Sequence, residues 1–372
     1  MIRARRGVVV RVTADRHGMQ ELAVKMVPEG AGGEQEGTGS DEETAVCYPE
    51  LTGPAAPGDS VILNVTAVSL SLGSGGRHFV IWVEGRQSLN PPLRGHIMKA
   101  RYMPMQVCTG SYEEDPSNAG AIEGFRGLLG MPVVLCELHS MVPPALAGLA
   151  ATGVKPPRVA YIMTDGAALP IALSELVDQL REHGLLSVTI TAGHAFGGDI
   201  EAVTVHSALV AAKAVARCDA AVVSMGPGIV GTGTRYGFSG IEQGYMADAV
   251  NRLGGVPILV PRISRADPRP RHRGVSHHTL TVLRDVCCTP VRCVLPSDGD
   301  REFIGALTTS LENAATEVGH ELVFRPGRPA LSLLSSRGIR VSTMGRSPED
   351  DPEFFLAAGA GGVYAREFVL GE

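Results

Sequence analysis

Aromatic residues are scarce: one Trp, seven Tyr and nine Phe in 372 residues. Binding of single-stranded nucleic acid rests on aromatic stacking platforms and basic grooves, and a net charge of −6 speaks against the second requirement as well. No run approaches the roughly 18 uninterrupted apolar residues that a membrane span needs. Met1–Asp15 is briefly basic and then strand-like, without the apolar stretch and cleavage site of a signal peptide. The seven cysteines are odd in number and include no C-x-x-C pair, so buried, reduced thiols in a cytoplasmic protein are expected rather than a disulfide framework. Cys287-Cys288-x4-Cys293 has poor zinc-finger spacing and reads as packing. G-x-S-x-G, a Walker lysine and H-E-x-x-H are all missing, which disfavours α/β-hydrolases, P-loop NTPases and zincin proteases.

What is present is ordinary globular chemistry, 44% hydrophobic and 19% charged, in a chain long enough for two cores. Residues 1–86 read as short alternating strands at Gly7–Thr13, Glu21–Val27, Glu43–Tyr48, Ser60–Val68 and His78–Val83, which predicts a small β-barrel of the SH3-like or OB-like kind. Within it Gly30–Glu43 is acidic and glycine-rich with nothing to bury, a flexible hairpin tip. Residues 87–105 form a Pro-bearing linker.

From 106 to 372 strands and helices alternate. Strands are expected at Pro132–Cys136, Arg158–Met163, Ser187–Thr191, Ala220–Ser224, Pro257–Val260, Val291–Leu295, Glu321–Phe324 and Ile339–Ser342. Helices are expected at Pro143–Ala150, Leu169–His183, Ile200–Ala216, Gly240–Leu253 and Arg301–Val318, with a last one from Pro352. This order predicts a doubly wound, mostly parallel, Rossmann-like α/β sheet.

In such a sheet ligands sit outside the carboxyl ends of the strands. The most informative segment there is Ala220–Gly240, a strand running into a loop with six glycines and then a helix. Glycines let backbone approach a ligand, and a helix N-terminus offers N–H groups to an anion. Gly228, Gly231, Thr232, Gly233, Thr234 and Arg235 are therefore candidate ligand-binding residues. Gly226–Gly231 formally matches G-x-G-x-x-G, but the glycines continue through Gly240 and Arg262 stands where a dinucleotide fold needs an acid after the next strand. Packing of the loop on neighbouring backbone competes with anion binding.

His194 lies between glycines with Asp199 and Glu201 close in sequence. A His–carboxylate pair with Asp199 or Asp165 would serve acid–base chemistry or hold a divalent metal. The competing reading makes Asp165 and Asp199 helix N-caps. In Arg271–Thr279, Ser276 can cap a helix that carries His277 and His278 in its first turn, pointing different ways, with His272 before the cap. One of the three in a site is expected; all three on one metal is not. Arg262, Arg265, Arg269, Arg271 and Arg273 suit bidentate binding of phosphate or carboxylate. Arg271, His272, Ser276, His277 and, after the first strand, His139 complete the candidate ligand-binding set. His206 and Lys213 read as structural.

Nearly end to end the chain resembles the bacterial family DUF3866. The resemblance is carried by Lys99–Pro104, Asp165–Pro170, Gly193–His206, Gly226–Gly240 and His272–Thr279. It implies no activity, cofactor or catalytic residue. The residues point to a cytoplasmic enzyme acting on a small anionic metabolite, phosphorylated or not, with the barrel as a lid or a homo-oligomerisation module. Two rival readings remain: a sensor or scaffold using the same pocket without turnover, and nucleic-acid binding through the barrel.

Overall fold

A computed structural model of the chain describes residues 2–28, 41–72, 75–93, 95–151, 155–315 and 318–371. Its contacts divide it into two units, Met1–Arg94 with Arg101–Val107, and Gly95–Ala100 with Cys108–Glu372.

The first unit holds a closed five-strand barrel. Strands β1 (Ala4–Arg16), β2 (Met19–Met26), β3 (Glu43–Cys47), β4 (Ser60–Asn64) and β5 (Arg77–Val83) close in the order β1-β2-β3-β5-β4. β1 makes closure possible because it pairs with β4 along one part and β2 along the other, bent by register shifts at Val9/Arg11 and Val12/Ala14. Alternation turns Val9, Leu22, Val24, Ala45, Leu63 and Val80 into the barrel core. β4 stops short of the expected Val68. Asn64 Oδ1 accepts the Thr66 N–H at 3.1 Å and turns the chain into the helix Thr66–Ser69. Of the expected hairpin tip Gly30–Glu43, residues 30–40 lie outside the described residues.

The second unit is built on an eight-stranded sheet. Its strands are β6 (Pro132–Leu135), β7 (Val159–Thr164), β8 (Val188–Ala192) and β9 (Ile200–Ala202). They continue as β10 (Ala220–Met225), β11 (Val256–Leu259), β12 (Arg292–Pro296) and β13 (Glu321–Arg325). The spatial order is β9-β8-β7-β10-β6-β11-β12-β13, and every neighbouring pair is parallel. All residues of β6, β7, β8 and β10 are buried, as required when helices cover both faces. This is the Rossmann-like α/β architecture that the strand–helix alternation predicts.

On one face the helix Val142–Ala150 crosses the C-terminal helix Pro352–Leu370 backbone to backbone. A Cβ on Gly148 would fall 2.8 Å from Val363 N, and one on Gly362 2.9 Å from the Ala145 carbonyl carbon. The expected helix over Ile200–Ala216 begins instead as the edge strand β9, since Ile200–Ala202 pair with Ile190–Ala192. Only at Thr204 does a capping box with Ser207 start the helix Val205–Val210. Ile339–Ser342 joins no ladder; the nearest pairing is the Thr343–Arg346 bridge that closes the next turn. No described helix is long and apolar enough to cross a membrane.

The chain winds outward from β7 to β9, returns to insert β10 between β7 and β6, then crosses to β11 and continues to β13. Strand order therefore reverses around β10, β6 and β11, and their carboxyl ends face one place.

Candidate functional site

Each of these three strands delivers a charged or flexible segment to the reversal point. β6 is followed by Glu137, which is 2% exposed, and β11 by Arg262, which is 3% exposed. Glu137 Oε1 accepts from His278 Nδ1 at 2.6 Å and from Arg262 Nη1 at 3.1 Å. Burial pushes the Glu137 carboxyl up, but the His278 hydrogen bond and the Arg262 charge outweigh it and hold the group below its ordinary value. It is an ionised carboxylate in the interior. Its second oxygen, Oε2, is buried with no hydrogen-bond partner among the described residues.

The glycine loop after β10 shapes the other wall. Gly231 bridges to Phe238, and the Phe238 ring stacks on His278 with centroids 3.8 Å apart and planes within 3°. The helix expected to receive an anion at its N-terminus begins as a 3-10 turn, Ser239–Ile241. There a Cβ on Gly240 would lie 2.6 Å from Glu137 Cγ. The chain's own carboxylate thus lies against that end of the helix, where the dipole favours negative charge.

The segment after β11 folds into a small ribbon. Ile263–Ser264 pair antiparallel with Gly274–Val275. Inside the returning loop Asp267 is fully buried and receives Arg269 bidentately, Nε at 2.9 Å and Nη2 at 2.8 Å. Burial raises its carboxyl, yet the Arg269 hydrogen bonds and charge hold it well below the usual carboxylate range. Asp351, also fully buried, accepts from Ser264 Oγ at 2.6 Å and Arg346 Nε at 3.0 Å. Arg262, Arg269 and Arg346 are thus countered by Glu137, Asp267 and Asp351. Arg271 is not. It makes no hydrogen bond or ion pair among the described residues, and its Cζ lies 3.5 Å from where a Cβ on Gly233 would be.

The ribbon also returns His272 onto the helix His277–Thr281. Ser276 caps that helix by accepting His278 N–H at 3.2 Å, and the same hydroxyl lies 2.8 Å from His272 Nδ1. Burial, then the charges of Arg262 and Arg269, push His272 down to about 3, so its imidazole is neutral at physiological pH. His277 is lowered by burial and then by His278, and its Nε2 is buried without a partner among the described residues. One ring nitrogen from each of His272, His277 and His278 lies within 4.8 Å of the others. The three histidines therefore meet in space. Gly231, Gly233, Arg262, Arg271, His272 and His278 are among the residues lining a pocket of about 60 Å³, room for roughly four water molecules.

The other sequence candidates sit elsewhere or point inward. Thr232 and Thr234 hydrogen-bond each other at 2.9 Å, and Thr232 N donates to Gly237 O at 2.8 Å, so the loop partly satisfies itself. Gly228 turns it at φ +120°. Arg235 is exposed and bidentate to Asp285, with Nε at 2.8 Å. His139 is buried between the Tyr161 hydroxyl at 2.9 Å and Ser174 Oγ at 2.6 Å, and burial pushes it down to about 4.

His194 Nδ1 accepts from Ala100 N at 3.1 Å, and Asp165 Oδ2 accepts from the His194 backbone N–H at 3.4 Å. Asp199 is held by Arg181 and by Thr189 through N at 2.8 Å and Oγ1 at 2.9 Å. Among the described residues no hydrogen bond joins the His194 ring to either aspartate. Neither aspartate caps an α-helix: Asp199 precedes β9, and Asp165 lies within a 3-10 turn, while Ser174 caps the helix Glu175–Glu182. Asp267 carried no sequence signal because the arginines around it made its segment read as uniformly basic, and Asp351 lies far along the chain, just before the last helix.

One family model, DUF3866, a protein of unknown function, matches residues 44–362 of the chain. No curated protein matches it.

Proposed function

The chain belongs to the DUF3866 family, and from the chemistry of its α/β unit we propose that it is an enzyme acting on a small anionic metabolite, phosphorylated or carboxylate. The ligand sits at the carboxyl ends of β10, β6 and β11. The observation that carries this reading is the uncountered guanidinium of Arg271 in the wall of the pocket that His272 and His278 also line. A guanidinium presents paired donors that match carboxylate or phosphate, and a pocket of about 60 Å³ has room for such a group. Turnover, rather than sensing, is favoured by the orphaned Nε2 of His277 close to this pocket, a buried nitrogen lone pair with no partner among the described residues. A cytoplasmic setting is part of the proposal, and the buried free thiols of Cys47, Cys136, Cys218, Cys287 and Cys293 suit it.

Thermal-shift measurements with inorganic phosphate, phosphate monoesters and dicarboxylates test the reading, since a ligand of the native state raises Tm by mass action. At least one anion is expected to stabilise the protein and to lose that effect in Arg271→Ala. Absence of any shift removes the proposal. A shift without turnover of the stabilising ester leaves a sensor.

A further inference from the structure

Resting on the same pocket, we propose that His272, His277 and His278 bind one divalent transition-metal ion of the zinc class. The three candidate ligand atoms lie within 4.8 Å of one another. Ligands around a tetrahedral zinc at ~2.0–2.1 Å stand ~3.4 Å apart, so small side-chain rotations close the triad. The other nitrogen of two rings is already engaged. His278 Nδ1 donates to Glu137 Oε1 at 2.6 Å, and His272 Nδ1 lies 2.8 Å from Ser276 Oγ. This leaves Nε2 of each for a metal, and a carboxylate behind a ligating imidazole is the usual means of fixing its tautomer and ring plane.

Two further observations point to a missing partner. His277 Nε2 is buried and has no partner among the described residues. A Cβ on Gly231 would stand 3.6 Å from His278 Nε2, which puts that nitrogen on the side of the glycine loop that lines the pocket. The group found among the described residues holds three imidazoles and no thiolate or carboxylate, which suits zinc, cobalt or nickel and leaves a fourth position open. Magnesium and calcium prefer oxygen and are not expected to bind.

The test uses the full chain after dialysis against EDTA, titrated with Zn²⁺ by calorimetry and with Co²⁺ by visible absorption. One equivalent of Zn²⁺ is expected, with tetrahedral Co²⁺ bands and no response to Mg²⁺. His277→Ala, which removes the only half-exposed ring of the three, should weaken Zn²⁺ by on the order of 100-fold or more, since even losses behind the ligands cost about 10–100-fold. His272→Ala should do the same, and His206→Ala, on an exposed helix position, should change nothing. Circular dichroism melts establish that the variants are folded. Failure of the wild-type chain to bind Zn²⁺, or Zn²⁺ binding unaffected by His277→Ala in a folded variant, overturns the inference. Phosphate binding is measured separately in EDTA: an anion that binds a chain with no Zn²⁺ affinity removes the metal and leaves the anion site, and Zn²⁺ affinity with no anion binding does the reverse.

Discussion

Two strand-end regions of the α/β unit carry histidine, lysine or arginine, and buried carboxylates, and they differ in how completely their polar groups are used. Around β8, Lys99 is 1% exposed and its three donors meet three acceptors: Ala195 O at 2.6 Å, Glu201 Oε2 at 2.7 Å and Thr191 O at 3.2 Å. Burial lowers the Lys99 ammonium and raises the Glu201 carboxyl, each partly restored by the other. Asp199 Oδ2 likewise accepts three hydrogen bonds, one from Arg181 and two from Thr189. Around β6 and β11, by contrast, Glu137 Oε2 and His277 Nε2 are buried without a partner among the described residues, and the exposed Arg271 guanidinium has no carboxylate among them to meet it. Buried polar groups are normally paired, so leftovers mark a place where a partner from outside completes the network. The saturated region clamps the loop that bears His194, and the unsaturated one is the candidate site.

The largest effect should come from breaking the clamp. Lys99→Met leaves Glu201 buried without its cation, and loss of one partner of a buried pair costs about 3–5 kcal/mol; urea denaturation should show that loss. In any fraction that stays folded, phosphate binding should persist.

Between the two regions stands Glu242, which accepts from Thr164 Oγ1 at 2.5 Å. Burial, with a smaller push from Asp165, raises its carboxyl from 4.5 to about 7. Between these values the folded protein keeps a proton that the unfolded chain has lost, so stability falls as pH rises from 4.5 to about 7 and then levels. The drop is on the order of 3 kcal/mol, and Glu242→Gln should flatten that part of the stability–pH curve. An unchanged slope would mean that the carboxyl titrates normally.

Arg271→Ala should weaken phosphate by about 10–100-fold, the value of a charged hydrogen-bonded contact, while altering stability by less than about 0.5 kcal/mol. A stability loss as large as that of Lys99→Met would erase the contrast between the regions. Smallest of all, Arg235→Ala should leave phosphate affinity unchanged, because Asp285 already holds that guanidinium. Loss of binding there would return the site to the outer part of the glycine loop.

Much of the fold is legible because it depends on neighbours in sequence. Continuous apolar runs such as Val159–Thr164 and Ala220–Met225 announce buried parallel strands. Gly184 and Gly254, both at positive φ, mark helix ends where they were expected. Ile200–Ala202 departs from the expected helix because a three-residue edge strand has no periodicity to detect and exists only through its pairing with β8. The site is less legible. Glu137 follows a predicted strand, yet its bond to His278 spans 141 residues. Arg235 and Arg271 look alike in sequence, and only the positions of Asp285 and Gly233 separate a paired guanidinium from an uncountered one.

By itself, then, the sequence determined two folding units' worth of strands and helices, the glycine loop and the basic, histidine-bearing segment after β11, since apolar period, glycine and charge act over a few residues. Tertiary structure alone decided which of those charges are cancelled. Strand order brought β6, β10 and β11 side by side, the Ile263–Val275 ribbon folded His272 back onto Ser276, and Asp267 and Asp351 took up Arg269 and Arg346. Electrostatic and hydrogen-bond partners are chosen by distance in space, and no local pattern encodes that distance.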